Sequence, residues 1–169
     1  MATITALLDD DIPEVAQFLT ECWQQVYIDI LDADVLATIT PEYRSAYLRQ
    51  HMHDGATGLL ARNDAQELVG MSFYEPSHSP ILIDACLIDK LYVQPHLIGT
   101  GLGHTLLVAT ENAVIGRGYT TAGLDVYPTN LRAISFYQSH GYKQVGTAVD
   151  HLAGHEYPLD VMAKDLAKS

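Results

Sequence analysis

The sequence predicts a single α/β domain over residues 1–169, with elements in the order β-α-α-β-β-β-α-β-α-β-β. Three observations predict it. At 169 residues the chain is long enough to bury one proper core and short for two. Apolar residues recur at helical spacing in some segments and in strand-like runs in others. Between them, Leu91-Tyr92-Val93-Gln94-Pro95-His96-Leu97-Ile98-Gly99-Thr100-Gly101-Leu102-Gly103-His104 reads as a buried strand, a proline-marked exit and three glycines opening a helix.

The elements follow in order. Residues 3–8 read as a first strand. Asp11-Ile12-Pro13-Glu14 opens a helix with an acid at the N-cap, proline in the first turn and Glu three residues on. Ile12, Val15, Ala16, Leu19, Trp23, Val26 and Ile30 mark its apolar face. Pro41 starts a second helix to about residue 51, with Tyr43, Ala46, Tyr47 and Gln50 at helical spacing. Strands follow over 57–62 and 67–74, joined by the polar turn 63–66. After the loop 75–80, residues 81–93 form one long apolar strand. The glycine loop, a helix to about residue 115, a strand over 120–126, another helix and a closing β pair complete the order. No internal repeat or linker interrupts it.

Composition narrows the function classes. No apolar run approaches the ~18 residues of a membrane helix, and Met1-Ala2-Thr3-Ile4-Thr5 lacks the basic and apolar regions of a signal peptide. The two cysteines, Cys22 and Cys86, have no metal-like spacing, so free thiols in a reducing cytoplasm are the simplest reading. Nine basic residues against 21 acidic ones give a net charge of −12. That balance argues against a nucleic-acid partner. It aids solubility and favours a cationic small-molecule acceptor.

The glycine loop is a phosphate-binding device. Glycine lets backbone amides approach an anion closely, and the following helix aims its free N–H groups and positive dipole end at the same place. A P-loop needs Lys and Ser or Thr after its last glycine, whereas His104-Thr105 follows here. A dinucleotide fingerprint needs a sixth-position glycine, which neither Gly99 nor Gly101 finds. The G-x-G-x-G of an S-adenosylmethionine-dependent methyltransferase does match, with Asp125 as a ribose partner. Position argues against it: 98 residues precede Gly99 and only 66 follow Gly103, whereas such domains place the loop after their first strand.

Val93 to Gly103 resembles the acyl-CoA loop of the GCN5-related N-acetyltransferases, V-x-P-x-x-(R/Q)-G-x-G-(I/L/A)-G, with Ile98 in place of the Arg or Gln. Asn130-Leu131-Arg132-Ala133-Ile134-Ser135-Phe136-Tyr137-Gln138-Ser139-His140-Gly141-Tyr142 is similar to the family's second motif, N-x-x-A-x-x-F-Y-x-x-x-G-(F/Y). The element order is also the family's, so the resemblance covers nearly the whole chain. It implies one N-acetyltransferase domain over residues 1–169, with a mixed, mostly antiparallel sheet flanked by helices. It implies acetyl-CoA as cosubstrate, a primary amine as acceptor, direct attack in a ternary complex, and a homodimer as the family's habit. A non-catalytic acyl-CoA-binding or sensing module is the alternative.

Acyl transfer from a thioester to an amine needs a neutral amine, a donor for the oxyanion and a proton for the departing thiolate. The resemblance places Tyr137 as the acid at the thiolate. It places Asp89 as the base, where relatives carry a Glu; alternation puts Asp89 on one face with Leu87, Leu91 and Val93, and Asp84 is weaker. It implies that Leu91, Tyr92 and Val93 pair with pantetheine like an added strand, the Val93 N–H serving the oxyanion. Ile98, Gly99, Thr100, Gly101, Leu102, Gly103 and His104 then surround the pyrophosphate, the amides carrying more of the anion binding because Ile98 cannot. Asn130 contacts the cofactor arm or simply caps its helix; Arg132 could reach the adenosine phosphates. Trp23 and Tyr27 border the acceptor pocket or pack in the core. Cys86 as an acyl-carrying nucleophile would need an activating His. His51, His53, His151 and His155 find no third ligand at a convincing spacing, so no metal site is expected.

Overall fold

The computed structural model describes residues 1–168. Its centre is a seven-stranded sheet in the order β1-β2-β3-β4-β5-β7-β6. The strands are β1 (Thr3–Ala6), β2 (Thr57–Arg62), β3 (Leu68–Pro76), β4 (Cys86–Val93), β5 (Thr121–Val126), β6 (Lys143–Leu152) and β7 (His155–Asp165). Only β4 and β5 pair in parallel; every other pair is antiparallel. The helices are α1 (Ile12–Val26), α2 (Ala33–Thr38), α3 (Pro41–His53), α4 (Leu102–Gly116) and α5 (Leu131–Ser139). The expected order holds, with α2 added as a single short helix between the two expected ones.

Two helical layers cover the sheet. Ile12, Val15 and Leu19 of α1 and Leu48 of α3 pack with Leu60, Met71 and Phe73 on one face. Leu107 and Val114 of α4 pack with Cys86, Ile88, Leu124 and Met162 on the other. A third cluster joins Trp23 and Tyr27 at the end of α1, Val35 and Leu36 of α2, Tyr127 and Leu159. The β6–β7 hairpin is thereby drawn toward α1. An ionic clasp supports the same closure: both ring nitrogens of His155 face carboxylates, Nδ1 to Asp32 at 3.0 Å and Nε2 to Asp34 at 2.9 Å. Tyr157 donates to Asp32 at 2.6 Å. His155 thus does find two further metal-type ligands, against the expectation from spacing. Asp34 holds the imidazole pKa above its ordinary value, which favours the protonated ring between the two carboxylates.

Two local expectations are corrected. Residues 81–85 are not strand. They turn back through Asp84, at φ +54°, and lay Leu82 and Ile81 where any Cβ on Gly123 or Gly146 would collide with them. The apolar run is explained by packing over β5–β7. On α3 the buried residues are Arg44 and Leu48, not Tyr43, Ala46 and Gln50, while Tyr47 is half-buried.

Across the far face, the carboxylate of Glu111 on α4 is buried and receives Lys164 of β7 at 3.1 and 3.2 Å and the Tyr142 hydroxyl at 3.0 Å. Lys164→Met strands that carboxylate and is expected to destabilise the protein by about 3 kcal/mol. Urea unfolding would show it as a lower midpoint with an unchanged slope.

Candidate active site

The site begins where two strands part. β4 and β5 pair only at Cys86↔Ala122 and Leu87↔Gly123. Beyond those residues β5 stays on β7 as far as Val126↔Asp160, while β4 stays on β3 as far as Val93↔Gly70. Gln94 N–H donates to Val69 C=O at 2.9 Å, which makes Gly70–Val93 a non-hydrogen-bonded pair. Alternation along an antiparallel ladder then turns the Val93 N–H and both groups of Leu91 away from β3, into the gap toward β5, while the Val93 carbonyl accepts from the Cys22 thiol of α1 at 3.9 Å. The peptide of Tyr92 belongs to the β3 ladder instead.

A bulge reorders β4. Phe73 pairs with Lys90 and Tyr74 with Ile88, so Asp89 is the extra residue. The consequence is that Asp89 and Lys90, though consecutive, both meet α3: Tyr47 donates to Asp89 Oδ2 at 2.9 Å, and the Lys90 ammonium lies 4.4 Å from the Tyr47 ring centre. Leu91 packs instead with the α4–α5 cluster. Simple alternation, which puts Asp89 and Leu91 on one face, fails for this reason.

The gap opens into a cleft of about 1080 Å³. At one end lies the glycine loop. Gly99 and Gly101 have φ of +86° and +93°, and a Cβ on either would project into open space. Gly101 is the N-cap of α4, with no side chain capping it. Among the described residues the N–H groups of Leu102, Gly103 and His104 meet no protein acceptor, as the first turn of an uncapped helix dictates. Thr100 is turned elsewhere: its N–H and hydroxyl both bond the Leu97 carbonyl, at 3.2 and 2.6 Å. Ile98 lies exposed at the rim. His104 Nδ1 and His140 Nε2 are 2.7 Å apart, and His140 Nδ1 is 2.7 Å from the Phe136 carbonyl. That carbonyl only accepts, so His140 carries its proton on Nδ1.

Along the middle stands Tyr137 of α5. Its hydroxyl has no hydrogen-bond partner among the described residues, and desolvation, then Tyr27, pushes its pKa above the ordinary phenol value. It therefore stays protonated. Asn130 caps α5, accepting from Ala133 N–H at 3.4 Å, and also borders the cleft. Arg132 is exposed on the same helix.

The far end is aromatic and charged. Tyr27 and Tyr92 share a hydroxyl–hydroxyl hydrogen bond of 2.8 Å. Tyr127 donates to Asp150 at 2.6 Å. Asp125 faces this space from β5, opposite in parity to Leu124 and Val126, which pack under α4 and α5. It is exposed to the cleft, no hydrogen bond or ion pair holds its carboxyl among the described residues, and desolvation, then Asp89 and Asp150, raises its pKa above the usual carboxylate value. Asp89 is engaged by Lys90 at 3.2 Å as well as by Tyr47. Burial pushes the Cys86 thiol up to about 11, and its Sγ–H donates to the Glu75 carbonyl at 3.3 Å. Among the described residues no histidine contacts it.

The expected residues Asp89, Leu91, Tyr92, Val93, Ile98, Gly99, Gly101, Gly103, His104, Asn130 and Tyr137 line one cleft, whereas Thr100 and Leu102 do not. Arg44, Asp125 and Asp150 are added to the expected acceptor side. Their signal was faint: Arg44 lies four residues before Leu48, the one leucine of α3, and Asp125 is on β5, the strand after that of Asp89.

Residues 12–142 match the sequence profile described as the acetyltransferase (GNAT) family. That is well over half of the chain, and the chain belongs to this family. Solved structures similar to it include a PaiA N-acetyltransferase from Thermoplasma acidophilum in complex with coenzyme A, 20% identical over 98% of this chain and 99% of that one, with a TM-score of 0.74. A ribosomal-protein-alanine N-acetyltransferase from Brucella melitensis is 23% identical over 97% and 99%, with a TM-score of 0.72. A spermidine N-acetyltransferase chimera from Vibrio cholerae and hSSAT is 16% identical over 99% and 96%, with a TM-score of 0.73. No curated protein matches the chain.

Gly101→Ala tests the amide cradle. The new Cβ costs about 1–2 kcal/mol of backbone strain in the left-handed region and enters the space before the amides. Coenzyme A affinity by calorimetry is expected to fall at least about tenfold, and an unchanged affinity would move the anion site elsewhere.

Proposed function

We propose that the cleft transfers the acetyl group of acetyl-CoA to a primary amine by direct attack in a ternary complex. The observation that carries this is the parting of β4 from β5, with the outward-facing peptides of Leu91 and Val93, an uncapped glycine-opened helix at one end and an acidic, aromatic chamber at the other. Acetyl-CoA supplies an activated acyl thioester. The free amides at Gly101 to His104 suit its diphosphate, and the exposed strand edge at Leu91 and Val93 suits the amide-rich pantetheine arm.

On the chamber side Asp125 takes the amine proton. It is unpaired, reaches the cleft, and has a raised pKa that brings it nearer to the amine's. Asp89, expected as the base, is held by Lys90 and Tyr47. Its part is to set the field at Asp125, whose pKa it raises. The Val93 N–H points into the gap and serves the developing oxyanion. Tyr137, protonated and unpartnered, gives its proton to the departing sulfur.

The acidic exterior favours arrival of a cationic amine by long-range attraction. The similar structures do not narrow the acceptor, since those named act on molecules as different as spermidine and a ribosomal protein.

Two-substrate initial rates are expected to give intersecting lines; parallel lines would indicate an acetyl-enzyme. Tyr137→Phe is expected to lower kcat at least about tenfold with little change in KM. The wild-type rate is lost as pH falls through the raised pKa of Asp125, so its acid limb lies above the ordinary carboxylate value of 3.8. Asp125→Asn should lower kcat by about 10²-fold and abolish that limb. A limb that survives Asp125→Asn but vanishes in Asp89→Asn would return the base to Asp89.

A further inference from the structure

One charged side chain in the chamber stands out by what it lacks. Arg44 is only 3% exposed, yet its Nε and Nη2 have no hydrogen-bond partner. No carboxylate pairs with it among the described residues. It lines the cleft, with its guanidinium 4.1 Å from the centre of the Trp23 ring and 5.5 Å from that of Tyr43. Stacking on an aromatic face stabilises a cation partly, but it leaves the planar fork of N–H donors unused. A buried cation without a counter-ion is costly and marks a place where an anion belongs.

The charges around it show that the protein does not supply that anion. Lys90, the other buried cation, is matched by Asp89 at 3.2 Å. Asp150 receives the Tyr127 hydroxyl at 2.6 Å and Asp125 stands unpaired on β5. The wall made by α1 and α3 thus carries one unmatched positive charge, and the wall made by β5 and β6 carries negative charge. The aromatic faces that could hold a substrate ammonium on the first wall are already taken, Trp23 by Arg44 and Tyr47 by Lys90.

Resting on the reading of this cleft as an acetyl-transfer site, we propose that the acceptor is an aminocarboxylate, a zwitterionic amine whose carboxylate is taken by the cleft-facing end of the Arg44 guanidinium. Its ammonium end turns toward Asp125, where the proton is removed. Nε and Nη2 are sealed from solvent, so the carboxylate approaches from the Nη1 end and meets the guanidinium charge there. A polyamine finds an uncompensated positive charge in the same place. The acidic exterior and the cationic inner wall are then consistent with one substrate, drawn in as an amine and oriented by its acid.

The test uses the full-length protein, saturating acetyl-CoA and thiol release. The acceptors are the common L-amino acids, their carboxamides, the corresponding decarboxylated amines, and spermidine. For the best amino acid, kcat/KM is expected to exceed that of its carboxamide and its decarboxylated amine at least about tenfold, because only the acid fills a site built for an anion. Arg44→Gln should erase most of that preference through KM, leaving the stabilisation by coenzyme A intact. It removes an unpaired buried charge, so its thermal midpoint should hold or rise. Turnover of carboxamides, decarboxylated amines or spermidine equal to or better than that of the acids would overturn the proposal while keeping the acetyl-transfer reading. Preference for acids that survives Arg44→Gln would overturn the role of Arg44. No turnover of any amine, despite binding of acetyl-CoA, would overturn both.

Discussion

The rest of the structure depends on two parallel strands that are allowed to touch only at one end. β4 and β5 are joined at two register positions and then diverge, each held by a different antiparallel neighbour, β3 and β7. A sheet that closed this gap would satisfy the Leu91 and Val93 peptides internally and leave no cleft. Left open, it exposes a row of backbone groups in the middle of a sheet, flanked by a helix N-terminus on one side and side chains of both strands on the other. The bulge at Asp89 belongs to the same constraint. It lets β4 follow β3 while turning two successive charged side chains toward α3.

The chamber's electrostatics follow from that turn. Asp89 and Lys90 neutralise one another, and Tyr47 satisfies a further lone pair of the carboxylate. Asp150 is met by Tyr127. What remains unmatched is Asp125 on one wall and Arg44 on the other. Arg44 is buried, and a protein would not leave such a cation unpaired for stability alone; Asp125 is exposed to the cleft. Unpaired charges of opposite sign on facing walls are the arrangement a small zwitterion completes.

Local pattern carried much of this. Three glycines after an apolar strand specify a left-handed, side-chain-free entry into α4, and Gly99 and Gly101 adopt it. The spacing from Asn130 to Tyr142 fixes α5 and puts Tyr137 on its inner side. Features set by distant partners were less legible. Residues 81–85 are apolar because Ile81 and Leu82 cover glycines of β6 and β5, contacts more than 35 residues away, not because they extend β4. Strand alternation was right for every residue of β4 until the bulge, which exists only in relation to β3. Arg44 hid because a buried cation on an aromatic ring looks, in sequence, like any solvent-facing helical arginine. The two carboxylates opposite His155 come from the α1–α2 segment, 121 residues away for Asp34, beyond any spacing rule.

The central claim is that the parted strands form an acyl-CoA site. Thermal unfolding with acetyl-CoA, coenzyme A and S-adenosylmethionine in parallel tests it most directly, because a ligand of the native state must raise the midpoint, by about 2.7 kcal/mol of stability at a hundred times its dissociation constant. A rise is expected with both CoA species and none with S-adenosylmethionine. No rise with either CoA species at millimolar concentration, or a rise with S-adenosylmethionine alone, would contradict it.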